Sequence, residues 1–273
     1  MNIEFKQNRW ADEIAKLAEE SILTEAVLTP KPGLVDARDS GAHKDMDIFT
    51  FIRSAVSLRA GFHDMFLSGY TGNGSEKELL ASLRPKGINI EGEMFNATSN
   101  INTHKGIIFS MGLLIASSGK YIKALDHHED KLPIFNVQDT SEVLEIIKVM
   151  TEGIVEHDFR NISSKKELTH GEKLFIEHGF TGIRGEAQNG YPVIRDIAMP
   201  LLRELDAGKR TYEERLLEVL LTLMSKVEDS NIVSRGGIEA LNYVKDCADE
   251  FIASGGMRQT DAYKKLDEMN ADF

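Results

Sequence analysis

Residues 10–36, WADEIAKLAEESILTEAVLTPKPGLVD, combine a helical pattern with an abrupt stop. Apolar and small side chains recur at steps of three and four residues along the first two thirds of this stretch. That spacing predicts an amphipathic helix over residues 11–28, and it puts Glu25 on or beside the apolar face. The prolines of the TPKPG segment at 29–33 cannot continue the helix, so a stiff loop is expected to follow it.

Helical spacing continues along the chain, whereas strand signals are scarce, because there is little apolar/polar alternation and no Asn-Gly or Asp-Gly turn between alternating runs. A second helix is expected from 47 or 49 to before Gly69, and a third within 75–97 with an interruption at Pro85-Lys86-Gly87. A fourth should run from His104 to about Ser118 with Thr103 as the N-cap. The remaining helices are expected over 140–155, 171–178, 192–205, 212–227, 238–253 and 259–270. The predicted fold class is therefore all-α, a single-domain multi-helix bundle over residues 1–273 with long functional loops.

The composition favours one folded domain in the cytoplasm. Of 273 residues, 41% are hydrophobic, which is enough for a substantial core, and no linker rich in Gly, Ser or Pro divides the chain. The N-terminus has no apolar run that could serve as a signal peptide, and the longest apolar stretch, Ile107–Ala116, is too short to span a bilayer. The single cysteine, Cys247, can form neither an internal disulfide nor a cysteine-rich zinc site, so we expect a packed, inert thiol.

The net charge of −12 repels a nucleic-acid backbone and argues against general nucleic-acid binding. A polyphosphate ligand would be repelled in the same way. Such a ligand would therefore need a local cluster of Lys, Arg and helix N-termini, or a divalent cation held by carboxylates. Four segments of the chain supply residues of both kinds.

The first of these segments is the loop over residues 29–47. Its prolines and glycine hold Lys31 and Asp36 with little conformational entropy left to lose. The aspartates of the loop, Asp45 among them, could supply oxygen ligands to Mg²⁺, whereas His43 is better suited to a phosphate or a hydroxyl group. The alternative is an ordinary turn between helices with solvated charges.

The other three segments place charged side chains next to glycines or helix ends. Residues 102–106, NTHKG, join a helix N-terminus to two potential cations, which suits a phosphate, although the Walker-type spacing is absent. In residues 182–187, GIRGEA, flanking glycines can expose the carboxylate of Glu186 beside Arg184. Residues 229–235, DSNIVSR, form a polar turn after a long helix. The alternative is a plain capped helix start for residues 102–106, a surface ion pair for residues 182–187, and simple helix capping for residues 229–235.

In this order, the segments resemble the motifs of the triphosphoribosyl-dephospho-CoA synthases, which build the prosthetic group of citrate lyase and malonate decarboxylase acyl carrier proteins. The resemblance rests on residues 29–36 (TPKPGLVD), 102–110 (NTHKGIIFS), 169–172 (THGE) with 184–187 (RGEA), and 229–237 (DSNIVSRGG). It implies transfer of the 5-triphosphoribosyl group of ATP to the 2′-hydroxyl of 3′-dephospho-CoA, with release of adenine. The family product carries an α linkage whereas ATP is a β-nucleoside, so one inverting displacement is the simplest course.

A hypothesis for single residues follows from this resemblance. The general base would be Asp36 or Glu186, with Glu25 as a second carboxylate. Substrate contacts would come from Lys31, Arg38, His43, Asn102, His104, Lys105, Arg184, Asn231 and Arg235, and metal contacts from Asp45 and Asp229. The cofactor would be Mg²⁺ accompanying ATP. The product would pass to an acyl carrier protein phosphoribosyl-dephospho-CoA transferase.

Two other functions stay open on the sequence. A Mg²⁺-dependent helical nucleotide phosphohydrolase would use acidic helices and His/Asp groups for metal-assisted attack by water. A helical adaptor would bind the acyl carrier protein or its transferase and turn over no nucleotide. The products distinguish the three functions: adenine from the transferase, phosphate or pyrophosphate from the hydrolase, and neither from the adaptor.

Overall fold

The computed structural model describes residues 3–127, 130–160, 162 and 167–273. Every regular element within those residues is a helix, which confirms the predicted all-α class. The chain divides into two compact units, Met1–Val27 with Lys44–Glu152, and Leu28–His43 with Gly153–Phe273. The expectation of a single domain over residues 1–273 stays a prediction.

The described part of the first unit is built from α1 (Ile3–Val27), α2 (Ile48–Thr71), α3 (Glu76–Ala97), α4 (Lys105–Ala124) and α5 (Val137–Thr151). In this unit α2 packs against α1, α3 and α4, and α5 packs against α3 and α4. Large side chains such as Trp10 and Phe62 are fully buried. Capping boxes fix where three of the helices begin, with Asp47 before α2, Ser75 before α3 and Asn136 before α5.

The helix α1 follows the predicted pattern but begins earlier, at Ile3 rather than near Ala11. Its buried positions repeat at helical spacing and are Trp10, Ala11, Ala15, Ala18, Ile22 and Ala26. The helix ends before Thr29-Pro30, as expected. Glu25 is exposed next to buried Ala26, so its side chain lies beside the apolar face and not on it.

Two predicted helix breaks are wrong, because helix packing overrides the local signal. The helix α3 runs through Pro85 without interruption. Buried side chains on both sides of the proline, such as Leu83 and Ile90, stay on one apolar face, so the same surface is covered along the whole helix. The helix α2 continues past Gly69, where a side chain would meet the backbone of Ala116 in α4. This glycine therefore permits two helices to approach closely and does not end one.

The helix α4 differs from its prediction at both ends. It continues beyond Ser118, and its N-cap is His104 rather than Thr103, because the Thr103 hydroxyl donates a hydrogen bond to Ser54 of α2. Among the described residues, α4 is the one helix long and apolar enough to cross a membrane, with 44% of its most apolar window buried inside the protein. The sequence-based expectation that no segment is long enough to span a bilayer considered only the uninterrupted apolar run Ile107–Ala116, and not the whole of α4. A core helix of a soluble protein passes the same test, so this finding is weak evidence for a membrane span.

The second unit carries the loop over residues 28–43 and the helices α6 (Ile154–Phe159), α7 (His170–His178), α8 (Gly182–Gln188), α9 (Met199–Asp206), α10 (Tyr212–Lys226), α11 (Ser230–Ala253) and α12 (Ala262–Asp272). A π-helical segment, Ile194–Ala198, leads into α9, and a 3₁₀ turn lies between α11 and α12. One core cluster joins Leu28 to Leu217 of α10, Phe251 of α11 and Leu266 of α12. The loop therefore starts from a residue that is anchored in the core of this unit.

Glycines with positive φ explain two helix boundaries that the sequence pattern missed. The helix predicted over residues 140–155 ends at Thr151, and Gly153 with φ of 76° begins a separate helix, α6. The helix predicted from Ile238 begins at Ser230 and contains a break at Gly237, which has φ of 76°. Four other predicted helices are observed, with 171–178 as α7, 192–205 as the π-helical segment and α9, 212–227 as α10, and 259–270 as α12.

Candidate active site

The carboxylate of Asp36 organises the first functional loop of the second unit. Its oxygens accept hydrogen bonds from three backbone N–H groups, those of Lys31 at 3.0 Å, Arg38 at 2.7 Å and Asp39 at 3.1 Å. The side chain is only 1% exposed, and so is that of Lys31. Asp36 therefore shapes the loop, because a carboxylate with several N–H donors is held in place as a charged acceptor.

Side chains of the helix α12 hold this loop in place. Asn270 accepts a hydrogen bond from the Gly33 N–H at 2.9 Å and donates one to Asp39 Oδ2 at 3.0 Å. Arg38 forms an ion pair with Asp267 of α12, and the hydrogen bond between them raises the pKa of the Arg38 guanidinium. Sequence reasoning missed Asn270, since no motif includes it and its partner Gly33 lies 237 positions away.

Two of the predicted substrate-binding residues lie in direct contact in the second unit. Arg235 donates a hydrogen bond from Nη2 to His43 Nδ1 at 2.9 Å and contacts the Ala42 carbonyl at 3.4 Å. The imidazole thus serves as an acceptor toward a guanidinium group. Asp229 accepts hydrogen bonds from the N–H groups of Asn231 at 2.7 Å and Ile232 at 3.3 Å and so caps α11. Its carboxylate is therefore engaged with the backbone, while the Asn231 side chain is exposed.

Glu186 is a half-buried carboxylate on α8. The Val193 N–H donates a hydrogen bond to its Oε2 at 3.3 Å. Burial raises the pKa of Glu186 above its usual value, against the opposing effects of the Val193 hydrogen bond and the positive charge of Arg195. A carboxyl group with a raised pKa is suited to general acid–base catalysis. Arg184, which we expected beside Glu186, pairs with Asp158 at 2.8 Å.

The backbone that follows Glu186 is strained. Tyr191 is buried and has φ of 52°, a left-handed conformation that is unusual for an aromatic residue. Its N–H donates to the Glu186 carbonyl at 2.7 Å, and a π-helical segment, Ile194–Ala198, follows shortly after. Strained backbone and π-helical turns are both concentrated at functional sites. Neither Tyr191 nor Val193 was predicted, because no local pattern indicates that the Tyr191 N–H contacts the Glu186 carbonyl or that the Val193 N–H contacts the Glu186 side chain.

Three of the predicted residues of the first unit, Asn102, His104 and Lys105, lie at the start of α4. His104 is 1% exposed and its Nδ1 lies 2.7 Å from the Ser54 hydroxyl. The backbone N–H groups that were expected to face a phosphate have acceptors within the unit, Met94 Sδ for His104 and the Asn102 side chain for Lys105, both at 3.3 Å. The Lys105 ammonium pairs with a glutamate of α3 at 2.9 Å. A phosphate here would thus contact side chains rather than free amides.

The carboxylates proposed as metal ligands do not form a ready-made metal site. Asp45 is exposed, and Asp229 caps α11. Asp47 caps α2 instead, and its hydrogen bonds with Thr50 lower the pKa of the Asp47 carboxyl. No group of three or more His, Cys, Asp or Glu side chains in the described ranges could hold a metal ion. A divalent cation would therefore depend on oxygen ligands from the substrate as well.

Comparison with known proteins places the chain in a family. A profile described as "ATP:dephospho-CoA triphosphoribosyl transferase" matches residues 11–273. Three similar proteins, each named probable 2-(5''-triphosphoribosyl)-3'-dephosphocoenzyme-A synthase, come from streptococci. That of Streptococcus equi subsp. equi (strain 4047) is 42% identical over 236 residues, covering 86% of this chain and 80% of the relative.

The other two relatives show the same level of similarity. That of Streptococcus equi subsp. zooepidemicus (strain H70) is 41% identical over 235 residues, with 86% of this chain and 80% of the relative covered. That of Streptococcus pyogenes serotype M5 (strain Manfredo) is 41% identical over 233 residues, with coverage of 85% and 79%. No solved structure matches the chain. On the profile match and these identities, the chain belongs to the ATP:dephospho-CoA triphosphoribosyl transferase family.

Proposed function

We propose that this chain transfers the 5-triphosphoribosyl group of ATP to the 2′-hydroxyl of 3′-dephospho-CoA, releases adenine, and uses Glu186 as the general base. Family membership over residues 11–273 supports the reaction. The observation that carries the residue assignment is the half-buried carboxylate of Glu186, whose pKa is raised by burial and whose position is held by a backbone N–H. A base of this kind can accept a proton from a hydroxyl group and release it after turnover.

The reaction forms one bond and breaks one bond at C1 of the ribose of ATP. The 2′-hydroxyl oxygen of dephospho-CoA attacks C1 as Glu186 takes its proton. The glycosidic bond to adenine breaks, and adenine leaves with the bonding electron pair and is protonated. An inverting course needs a base and an acid on opposite faces of the sugar, as in inverting glycosidases. We assign Glu25 as the second carboxylate, and its exposure on α1 keeps it accessible to a ligand.

Asp36 was the other candidate for the base, and its surroundings suit a different role. Its two oxygens already accept three hydrogen bonds from backbone N–H groups of its own loop. Protonation would weaken these bonds, because a neutral carboxyl group is a poorer acceptor than a carboxylate. We therefore propose that Asp36 maintains the loop that carries Lys31 and Arg38, while Glu186 moves the proton.

The triphosphate requires cations, and several of the proposed ones are engaged with carboxylates. We propose substrate contacts for Lys31, Arg38, His43, Asn102, His104, Lys105, Arg184, Asn231 and Arg235. In the structure Arg38 pairs with Asp267, Lys105 with Glu91 and Arg184 with Asp158. The pair of Arg38 with Asp267 is exposed, and exposed ion pairs contribute only about 0–1 kcal/mol, so a triphosphate can replace Asp267 at small cost.

We also propose Mg²⁺ as the cofactor, with Asp45 and Asp229 as ligands. Mg²⁺ usually keeps several waters and binds one or two carboxylates together with substrate phosphates, which fits a protein with few preformed oxygen ligands. Mg²⁺ would neutralise part of the charge of the triphosphate. The product would pass in the cytoplasm to an acyl carrier protein phosphoribosyl-dephospho-CoA transferase that serves citrate lyase or malonate decarboxylase.

The test of the proposed function is an incubation of the purified chain with ATP, 3′-dephospho-CoA and Mg²⁺, followed by chromatography. Adenine should appear only when both substrates are present. A control without dephospho-CoA excludes slow hydrolysis of the nucleoside. Release of phosphate or pyrophosphate without adenine would indicate the nucleotide phosphohydrolase instead, and no turnover by a folded protein that binds ATP would favour the adaptor.

A further inference from the structure

His104 lies at the end of a chain of hydroxyl groups in the first unit. The Thr103 hydroxyl oxygen lies 2.6 Å from Ser54 Oγ, and Ser54 Oγ lies 2.7 Å from His104 Nδ1. Ser54 is fully buried and His104 is 1% exposed. The imidazole also packs edge to face on Phe51 at 5.0 Å, and the backbone N–H of His104 donates to Met94 Sδ. Contacts from α2 therefore orient the ring, and the contact from α3 holds the backbone of His104.

The direction of this chain follows from counting protons, because each hydroxyl group can donate only one. If Thr103 donates to Ser54, the Ser54 proton goes to Nδ1 and both hydroxyl protons have acceptors. In the reverse direction, Nδ1–H would donate to Ser54 and Ser54 to Thr103. The Thr103 proton would then have no acceptor within the described part of the chain. An unsatisfied, partly buried donor is unfavourable, so the first direction is preferred.

We propose that Ser54 is a positioning residue that holds His104 in the neutral tautomer with its proton on Nε2. The proposal rests on the proposed function, in which His104 contacts ATP. In this tautomer Nε2 is a hydrogen-bond donor and cannot accept. The ligand group that it binds is therefore an acceptor, and the proposed function assigns this acceptor to a phosphate oxygen of ATP. Ser54 lies outside all four motifs, so the sequence alone does not indicate this role.

Nitrogen NMR of the intact protein tests the tautomer without any turnover. In a sample with ¹⁵N-labelled histidine at mildly alkaline pH, the two ring nitrogens of a neutral imidazole have clearly different shifts. The His104 signals can be assigned by their proximity to the Phe51 ring protons. We expect a protonated Nε2 and an unprotonated Nδ1. A proton on Nδ1 would overturn the proposal. Since the adenine assay reports on transfer separately, failure of one proposal is distinguishable from failure of the other.

A matched pair of variants at Thr103 tests whether the hydroxyl chain sets the tautomer. Thr103→Ser keeps the donor, whereas Thr103→Val removes it and preserves the shape of the side chain. The lost hydrogen bond should shift the tautomer ratio of His104 by about three- to tenfold in Thr103→Val, and Thr103→Ser should match the wild type. Tripolyphosphate should shift the Nε2 signal in the wild type. Identical spectra for both variants, or no response to tripolyphosphate, would contradict the proposal.

Discussion

The variant Glu186→Gln tests the proposed base with the smallest possible change of shape. The glutamine side chain retains an oxygen that can accept the Val193 N–H, which lies 3.3 Å from Oε2 in the structure. The positions of α8 and the following segment should therefore be preserved. What the variant loses is the ability to take a proton from the attacking hydroxyl group, together with the negative charge.

The expected loss of activity follows from the role of the residue. General base catalysis contributes about 100- to 10,000-fold to a rate, so the variant should release adenine slower by a factor in that range. Binding of ATP should change little, because phosphate contacts are assigned to other side chains. A carboxylate that only shaped the site would instead affect binding and turnover together.

The same variant has an effect on stability whose sign can be worked out. Burial raises the pKa of Glu186 in the folded protein. The contribution of this group to stability is therefore complete below its unfolded pKa and is lost as the pH rises through the folded pKa. Glutamine does not titrate, so the variant should lose less stability than the wild type as the pH is raised from acid to neutral.

The assay combines adenine release with ATP titration and thermal unfolding across pH. Glu204→Gln, a change at an exposed carboxylate of α9, is the matched control and should behave as the wild type. The assignment would be refuted if Glu186→Gln kept activity within tenfold of the wild type. It would also be refuted if a folded Glu186→Gln protein lost ATP binding and turnover in equal measure.

Four further tests, one of them with a matched control variant, probe the loop, the phosphate contacts and the core. Asn270→Ala removes both side-chain hydrogen bonds to the first loop and should lower kcat/KM about tenfold with a small fall in Tm, whereas an unchanged kcat/KM would contradict its positioning role. Lys105→Ala should mainly weaken ATP binding in a calorimetric titration, and an unaltered affinity would count against the phosphate contact. Glu218→Ala removes a buried carboxylate that accepts a backbone N–H at 2.6 Å and pairs with an arginine at 3.3 Å. The variant should therefore be less stable by about 3–5 kcal/mol in chemical unfolding, and a loss below about 1 kcal/mol would show that the pair is dispensable. Gly69→Ala should lower the free energy of unfolding by about 1–3 kcal/mol, because the new methyl group meets the backbone of α4. Its control, Gly92→Ala in α3, places a methyl group in open space and should be neutral or stabilising, so equal effects of the two changes would contradict the packing described.

The helices were predictable where one apolar face repeats without interruption. The pattern over residues 10–28 indicates α1 because buried positions recur at every turn of the helix. The proline in α3 was read as a break, since proline in a helix interior costs about 3 kcal/mol. Tertiary packing outweighs that cost, because side chains on both sides of Pro85 bury the same face. A local signal of this size cannot reveal the packing that opposes it.

The same limit applies to the candidate site, where the reactive residues could be predicted from the sequence and the residues that position them could not. Residues such as Glu186 and His104 stand out in sequence because their side chains can move protons or bind phosphate. The residues that hold these side chains in place do not stand out, because their contacts join positions that are far apart in the sequence. Ser54 is 50 positions from His104, and Asn270 is 237 positions from Gly33. No spacing in a single sequence records such pairs, so only the folded structure identifies them.

The central claim is that the ribose and the triphosphate of ATP move together onto dephospho-CoA. The most direct measurement uses ATP labelled with ¹³C in the ribose and ¹⁸O in the γ-phosphate, incubated with 3′-dephospho-CoA, Mg²⁺ and the purified chain. Mass spectrometry should show both labels in one coenzyme adduct, formed in equal amount with unlabelled adenine. An adduct that carries only the phosphate label, or labelled phosphate released while adenine stays bound to its ribose, would contradict the account.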